Sequence, residues 1–154
     1  MSVSLNKKVP DFAATATSSV TVRLKDLKGK NVVLYFYPRD STPGCTTEGQ
    51  DFRDAIKDFD KTNTVIFGVS QDSLKSHENF RIKQALPFEL ISDEDGSLCR
   101  LFDVLKMKSM YGKQFEGIER STFLIDNVGK LRQEWRKVKV PGHVAEVLDA
   151  ARSL

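Results

Sequence analysis

The chain has 154 residues, 40% hydrophobic and 29% charged, with a formal net charge of +3. That length is one ordinary domain, able to bury about 70% of its unfolded surface without staples. The mild positive charge does not argue for nucleic acid, and the longest apolar run, Val32 to Tyr37, is far short of the ~20 residues that span a membrane.

Apolar and polar residues alternate from Phe12 to Leu24, with Ser18-Ser19 as a turn, which predicts an N-terminal hairpin. A helical turn at Lys25–Leu27 stops at Gly29. Asn31–Tyr37 is apolar and β-branched or aromatic, the pattern of a strand buried on both faces. Phe52, Ala55, Ile56 and Phe59 then form one helical stripe. Thr64–Ser70 is a second buried strand. Asp72 and Ser73 cap a helix through Gln84, which Pro87 cannot continue. Phe88–Ile91 is a short strand, and Leu98, Leu101, Phe102 and Leu105 keep helical spacing. Lys106–Glu119 reads mostly as loop. Ser121–Ile125 and Leu131–Val138 form an antiparallel pair, with Leu131, Gln133 and Trp135 on one face of the second strand. Val144–Leu154 is a last helix, with Val144, Val147, Leu148 and Ala151 inward. This order predicts an α/β protein: a mixed central sheet with helices on both faces and an N-terminal β-hairpin, for which the thioredoxin-like fold is the best small architecture. The whole of 1–154 is expected to be one domain.

Two cysteines, Cys45 and Cys99, lie far apart in sequence and suggest no disulfide framework. A reducing cytoplasm is the expected compartment, and Met1 to Asp11 lacks the apolar segment of a signal peptide. Cys45 follows Pro43-Gly44 at the start of a predicted helix. Free amides and a partial positive charge there favour an anion, and the thiolate is the nucleophilic form. Free cysteines also serve as buried apolar filler, so position alone leaves both readings open. Thr42-Pro43-Gly44-Cys45 is T-x-x-C, one thiol short of the dithiol C-x-x-C, so disulfide exchange within the motif is excluded. Thr42 can both donate to a thiolate and accept from a bound hydroxyl.

Pro38-x-x-x-Thr42-x-x-Cys45 matches the P-x-x-x-T-x-x-C signature of the peroxiredoxins, thiol peroxidases on a thioredoxin-like fold. The stretches FYPRDSTPGCTTEGQDFRD (36–54), GVSQDSLKSHENF (68–80), LISDEDGSLCRLFDV (90–104) and YGKQFEGIERSTFLID (111–126) resemble one branch, the peroxiredoxin Q or bacterioferritin comigratory protein group. The resemblance implies that Cys45 is the peroxidatic cysteine, that Thr42 hydrogen-bonds peroxide and thiolate, that Pro38 shields the pocket, and that Arg120 sits beside the thiolate. A guanidinium there favours the anion and can donate to peroxide oxygens. The implied reaction is reduction of hydrogen peroxide or organic hydroperoxides with no metal or bound cofactor, the electrons coming from thiols. Members of the group are often monomers, and dimers occur in the wider family.

Attack on peroxide leaves a sulfenic acid that a second thiol must reduce. Group members carry a resolving cysteine five residues after the first, here Gln50, or on the following helix, here His77-Glu-Asn-Phe80-Arg81. Neither stretch holds a thiol. Cys99 flanks an apolar stripe and reads as core filler, with a resolving role as the alternative. A one-cysteine cycle is therefore expected, resolved by thioredoxin, glutaredoxin or glutathione. A single-use peroxide sensor is the alternative function. Other signals are weaker. Asp93-Glu-Asp95-Gly96 reads as helix capping, not a calcium loop. His77 and His143 read as surface or helix-end residues. The aromatic and basic WRKVKV (135–140) fits a strand with one wet face. Met107, Met110, Tyr111 and Phe115 read as a loop covering core, with bordering the pocket as the alternative.

Overall fold

The computed structural model describes residues 2–154. The N-terminal hairpin is present as β1 (Ala13–Thr15) and β2 (Thr21–Arg23), joined through a 3-10 turn at Thr17–Ser19. A second 3-10 turn, Leu24–Leu27, leads into β3 (Asn31–Phe36), every residue of which is buried. Then come α1 (Pro43–Asp54), α2 (Ile56–Lys61), β4 (Thr64–Ser70), α3 (Leu74–Lys83), β5 (Leu90–Ser92) and α4 (Ser97–Leu101). The chain closes with β6 (Leu105–Met110), β7 (Lys113–Ile118), β8 (Ser121–Ile125), β9 (Leu131–Trp135) and α5 (His143–Arg152).

Five strands form the central sheet in the order β5-β4-β3-β8-β9. β3 is its middle strand, parallel to β4 and antiparallel to β8. A central strand has no wet face, which is why 31–37 reads as a continuous apolar run. Side chains alternate across it. Val32, Leu34 and Phe36 join a core with Ala16, Val22, Cys99, Phe102 and Phe123. Val33, Tyr35 and Tyr37 join the other core, with Cys45, Phe52, Phe59, Phe80 and Val147. The hairpin and α4 thus cover one face of the sheet, and α1, α2, α3 and α5 the other. The inward set expected on the last helix, Val144, Val147, Leu148 and Ala151, is buried. Asp93 caps α4 as expected, accepting from the backbone amides of Leu98 (3.0 Å) and Cys99 (2.8 Å).

Four sequence expectations are corrected. The Phe52–Phe59 stripe spans two helices, because Ala55 (φ −96, ψ 4) breaks the chain between α1 and α2. The expected loop over 106–119 is an antiparallel ribbon, β6–β7, turning at Tyr111-Gly112 with φ of 52° and 76°. Both turn residues are left-handed, the geometry of a two-residue hairpin. The ribbon lies outside the main sheet with most residues wet, so no apolar alternation marks it. In β9 the register steps from Leu124↔Gln133 to Ile125↔Leu131, a bulge that inserts one residue. It turns Leu131 into the core with Ile125, while Trp135 packs against the core containing Leu124, so the two do not share a face.

The fourth correction is His77, which is fully buried within α3, whereas His143 opens α5 at the helix end expected of it, though it too is only 4% exposed. The Nε2 of His77 lies 2.9 Å from the Ile91 carbonyl and its Nδ1 2.7 Å from Asp40 Oδ2. Asp40 also accepts from the Tyr37 hydroxyl at 2.7 Å and the Ser76 hydroxyl at 2.8 Å, and its amide donates to Asp72 at 2.9 Å. Asp40, Asp72 and His77 bring their polar atoms within 4.8 Å of one another. The network ties the loop after β3 to α3. A polar residue satisfied in this way goes inside without leaving an apolar signature in the sequence.

Removing one partner of such a buried pair strands the other. Asp40→Ala is expected to lower the unfolding free energy in urea by about 3–5 kcal/mol. Asp54→Ala, at an exposed ion pair with Arg53, should change it by less than about 1 kcal/mol. Equal effects would contradict the assignment.

Candidate active site

Tyr37 ends the run of β3 with its amide bonded to the Val69 carbonyl at 3.0 Å. The chain then turns through Pro38–Thr42, held from behind by Asp40, with Ser41 at a φ of 63°. Thr42 is the N-cap of α1 and Pro43 its first residue, a position where the missing N–H is not needed. The Thr42 hydroxyl does not cap the helix. It donates to the Arg39 carbonyl at 2.9 Å. Cys45 is the third residue of the helix, in the turn whose amides lack intrahelical acceptors, and is 1% exposed.

Arg120, between β7 and β8, reaches across to this turn. Its Nη2 donates to Cys45 Sγ at 3.4 Å and its Nη1 to Glu48 Oε1 at 2.6 Å. The guanidinium passes so close to the helix that a Cβ on Gly44 would lie 3.1 Å from Nη2. A side chain at 44 would therefore make the guanidinium give by a few tenths of an ångström. Burial opposes the charge on Arg120, but Glu48 and Cys45 outweigh it and raise its pKa. Glu48 is fully buried. Desolvation pushes its carboxyl up to about 7, against the pull of Arg120. Sequence reasoning missed Glu48. Its signal was position: three residues after Cys45 on a helix puts both on one face.

Pro38 and Thr42 line a cleft of about 650 Å³, shared with Arg39, Lys108, Met110 and Phe115. Met110 and Phe115 are 58% and 42% exposed, so these β6–β7 residues border the cleft; the expectation that they cover core is corrected. Lys108 was also missed. Its Nζ donates to the Ile118 carbonyl at 2.5 Å, and burial followed by the charge of Arg120 lowers its pKa.

The structure brings Cys45 and Arg120 into contact, with Thr42 and Pro38 on the same loop-to-helix turn. It does not bring Cys99 to them. Cys99 is fully buried in the core on the other side of β3, and both cysteines are free. Burial, reinforced by Asp93, pushes its thiol well above the ordinary range. Gln50 donates to Gln84 at 3.0 Å, and Arg81 donates to the Phe88 carbonyl at 3.1 Å.

The mixed sheet with helices on both faces is a thioredoxin-like fold, and the proteins to which the chain is similar are thiol peroxidases. The AhpC/TSA family model matches residues 5–134. The peroxiredoxin Bcp of Bacillus subtilis is 50% identical over 154 residues, covering 100% of this chain and 98% of that protein. A solved peroxiredoxin Q from Xanthomonas campestris superposes with a TM-score of 0.88 at 52% identity, covering 92% of this chain and 90% of its own. A peroxiredoxin Q from Xylella fastidiosa gives 0.93 at 41% identity, covering 99% and 98%. The chain belongs to the AhpC/TSA family, in the peroxiredoxin Q or bacterioferritin comigratory protein group, and is a thiol-dependent peroxidase. Among the described residues no helix is long and apolar enough to cross a membrane.

His143 stands behind this site, 2.7 Å from the Thr122 hydroxyl on β8. Burial, then the charge of Arg120, lowers its pKa from 6.5 to about 4. A depressed histidine favours the fold above its unfolded pKa, and that contribution is lost as pH falls through the folded one. Wild type should therefore lose more stability than His143→Gln between neutral pH and about pH 4, measured by urea unfolding. Parallel losses would contradict the burial of a neutral ring.

Proposed function

We propose that Cys45 is the peroxidatic cysteine and that the chain reduces hydrogen peroxide and organic hydroperoxides by a one-cysteine cycle. The observation that carries this is the Arg120 Nη2 to Cys45 Sγ contact of 3.4 Å at the opening turn of α1. The guanidinium and the free amides favour the thiolate. The sulfur attacks the terminal peroxide oxygen, an S–O bond forms, and the O–O bond breaks. Sulfur loses two electrons and the peroxide gains them. The leaving oxide takes a proton and departs as water or alcohol, while Cys45 becomes a sulfenic acid. Arg120 donates to the oxygens as charge moves onto them, an electrostatic role. Thr42, whose hydroxyl proton goes to the Arg39 carbonyl, accepts from the peroxide hydroxyl and donates to the thiolate only on turning from that carbonyl, and Pro38 limits water at the sulfur.

The apolar side of the cleft, from Pro38 to Met110 and Phe115, supports the entry of organic as well as hydrogen peroxide. A solved structure of the Xanthomonas campestris bacterioferritin comigratory protein concerns its alkyl peroxide reduction activity. For the return step an outside thiol attacks the sulfenic sulfur, water leaves, and a second thiol releases the mixed disulfide. Thioredoxin, glutaredoxin or glutathione supplies these thiols, which puts the cycle in a reducing cytoplasm. The chain acts as a single domain and as a monomer, needing no metal or bound cofactor. The place of Cys99 in the opposite core supports an outside thiol as the resolving one, since a Cys45–Cys99 bridge needs Cα atoms within about 7 Å or local unfolding to bring them there.

Three variants test this. Cys45→Ser should reduce peroxide consumption with a thiol donor to background. Arg120→Gln should cost about 10²–10³-fold in kcat/KM. Cys99→Ser should turn over like wild type. Mass spectrometry of peroxide-treated wild type should find sulfenic or sulfinic acid at Cys45 alone. A Cys45–Cys99 bridge would overturn the one-cysteine cycle, and oxidation of Cys45 that no thiol reverses would favour a single-use sensor.

A further inference from the structure

Glu48 is fully buried on α1, one helical turn beyond Cys45, and the cycle above gives it no task. Its Oε1 takes the short hydrogen bond from Arg120, but its Oε2 is buried with no partner. The Tyr35 hydroxyl is likewise buried and unpartnered, and it reaches the same turn: a Cβ on Gly49 would lie 3.7 Å from it. The titratable groups that face Glu48 are Cys45 and Asp51 on α1, Tyr35 on β3, and Arg120 between β7 and β8. Tyr35 stays neutral, since burial and then Glu48 raise its pKa well above 10.0. Two acids, Cys45 and Glu48, therefore share one guanidinium inside the protein. One negative charge there is balanced, and a second is not. A carboxylate with a bare buried oxygen is the costlier place for that charge.

We propose that Glu48 holds, as a neutral acid, the proton that peroxide cleavage consumes, and becomes the carboxylate partner of Arg120 once Cys45 is oxidised. This rests on Cys45 being the reacting thiol. The step balances. Cys45 thiolate, Glu48 carboxylic acid and a hydroperoxide become Cys45 sulfenic acid, Glu48 carboxylate and an alcohol, or water from hydrogen peroxide. The O–O bond breaks, the S–O bond forms, two electrons pass from sulfur to oxygen, and the proton passes from Glu48 to the leaving oxide. The charge beside Arg120 is −1 throughout, so no charge crosses the buried site. A carboxyl that titrates at about 7 has both forms within reach at neutral pH. In this step Glu48 is the general acid, and Arg120 couples its charge to that on sulfur.

Infrared difference spectroscopy tests this on wild type, taken just below pH 7 before and after one equivalent of hydrogen peroxide. The expected result is loss of one protonated-carboxyl stretch and gain of a carboxylate, assigned by ¹³C-labelled glutamate and absent in Glu48→Gln. The variant keeps an acceptor for Arg120 but removes the competing charge. Its Cys45 thiolate, followed by ultraviolet absorbance in a Cys99→Ser background, should appear at lower pH than in the parent. An unchanged carboxyl region in protein whose Cys45 mass spectrometry shows to be oxidised would overturn the proposal and leave the peroxidase assignment standing, as would coincident thiolate titrations. Failure of peroxide to oxidise Cys45 would overturn both.

Discussion

One guanidinium bridges two buried acids, and the rest of the site is arranged around it. Arg120 reaches Cys45 Sγ with one nitrogen and Glu48 with another. A lysine has no such fork and cannot hold both at fixed angles. The bridge demands a helix that starts just before Cys45 and a strand end that delivers Arg120 from the side, close over Gly44. Each demand is met by a different part of the chain. The tertiary fold, not the local motif, therefore makes the sulfur special.

The central strand is what aligns those parts. β3 hands the chain to the Pro38–Thr42 loop and then to α1, while its antiparallel neighbour β8 starts just after Arg120. Phe36 pairs with Ser121 in the register, so the two ends that carry Cys45 and Arg120 meet at the same edge of the sheet. Behind the loop, Asp40 and His77 lock it to α3 through groups that are all inside. A loop carries the chemistry because it can bend there, and a buried polar network makes it rigid enough to do so.

Much of this was legible in the sequence for physical reasons. β3 and β4 are buried on both faces, so they read as apolar runs. α5 has one wet face, so its stripe is clean. The T-x-x-C motif carried Thr42 and Cys45 together, but Arg120 was visible only through family resemblance, because nothing local marks an arginine 75 residues away as a neighbour. The hidden polar residues share one cause: burial or pairing satisfied by partners distant in sequence. Glu48, His77 and His143 look like surface residues by type, yet each is inside with a specific partner. The β6–β7 ribbon has no dry face and so no periodic signal. The bulge in β9 alters the facing of Leu131 with no change in composition.

The central claim is that the Arg120 guanidinium, held against the Cys45 sulfur, makes that sulfur reactive toward peroxide. The second-order rate of Cys45 oxidation by hydrogen peroxide at neutral pH, in a Cys99→Ser background, tests it directly. With Arg120→Gln the rate constant should fall by at least about 10²-fold relative to the parent. Equal rate constants for the two proteins, with the variant folded, would contradict it.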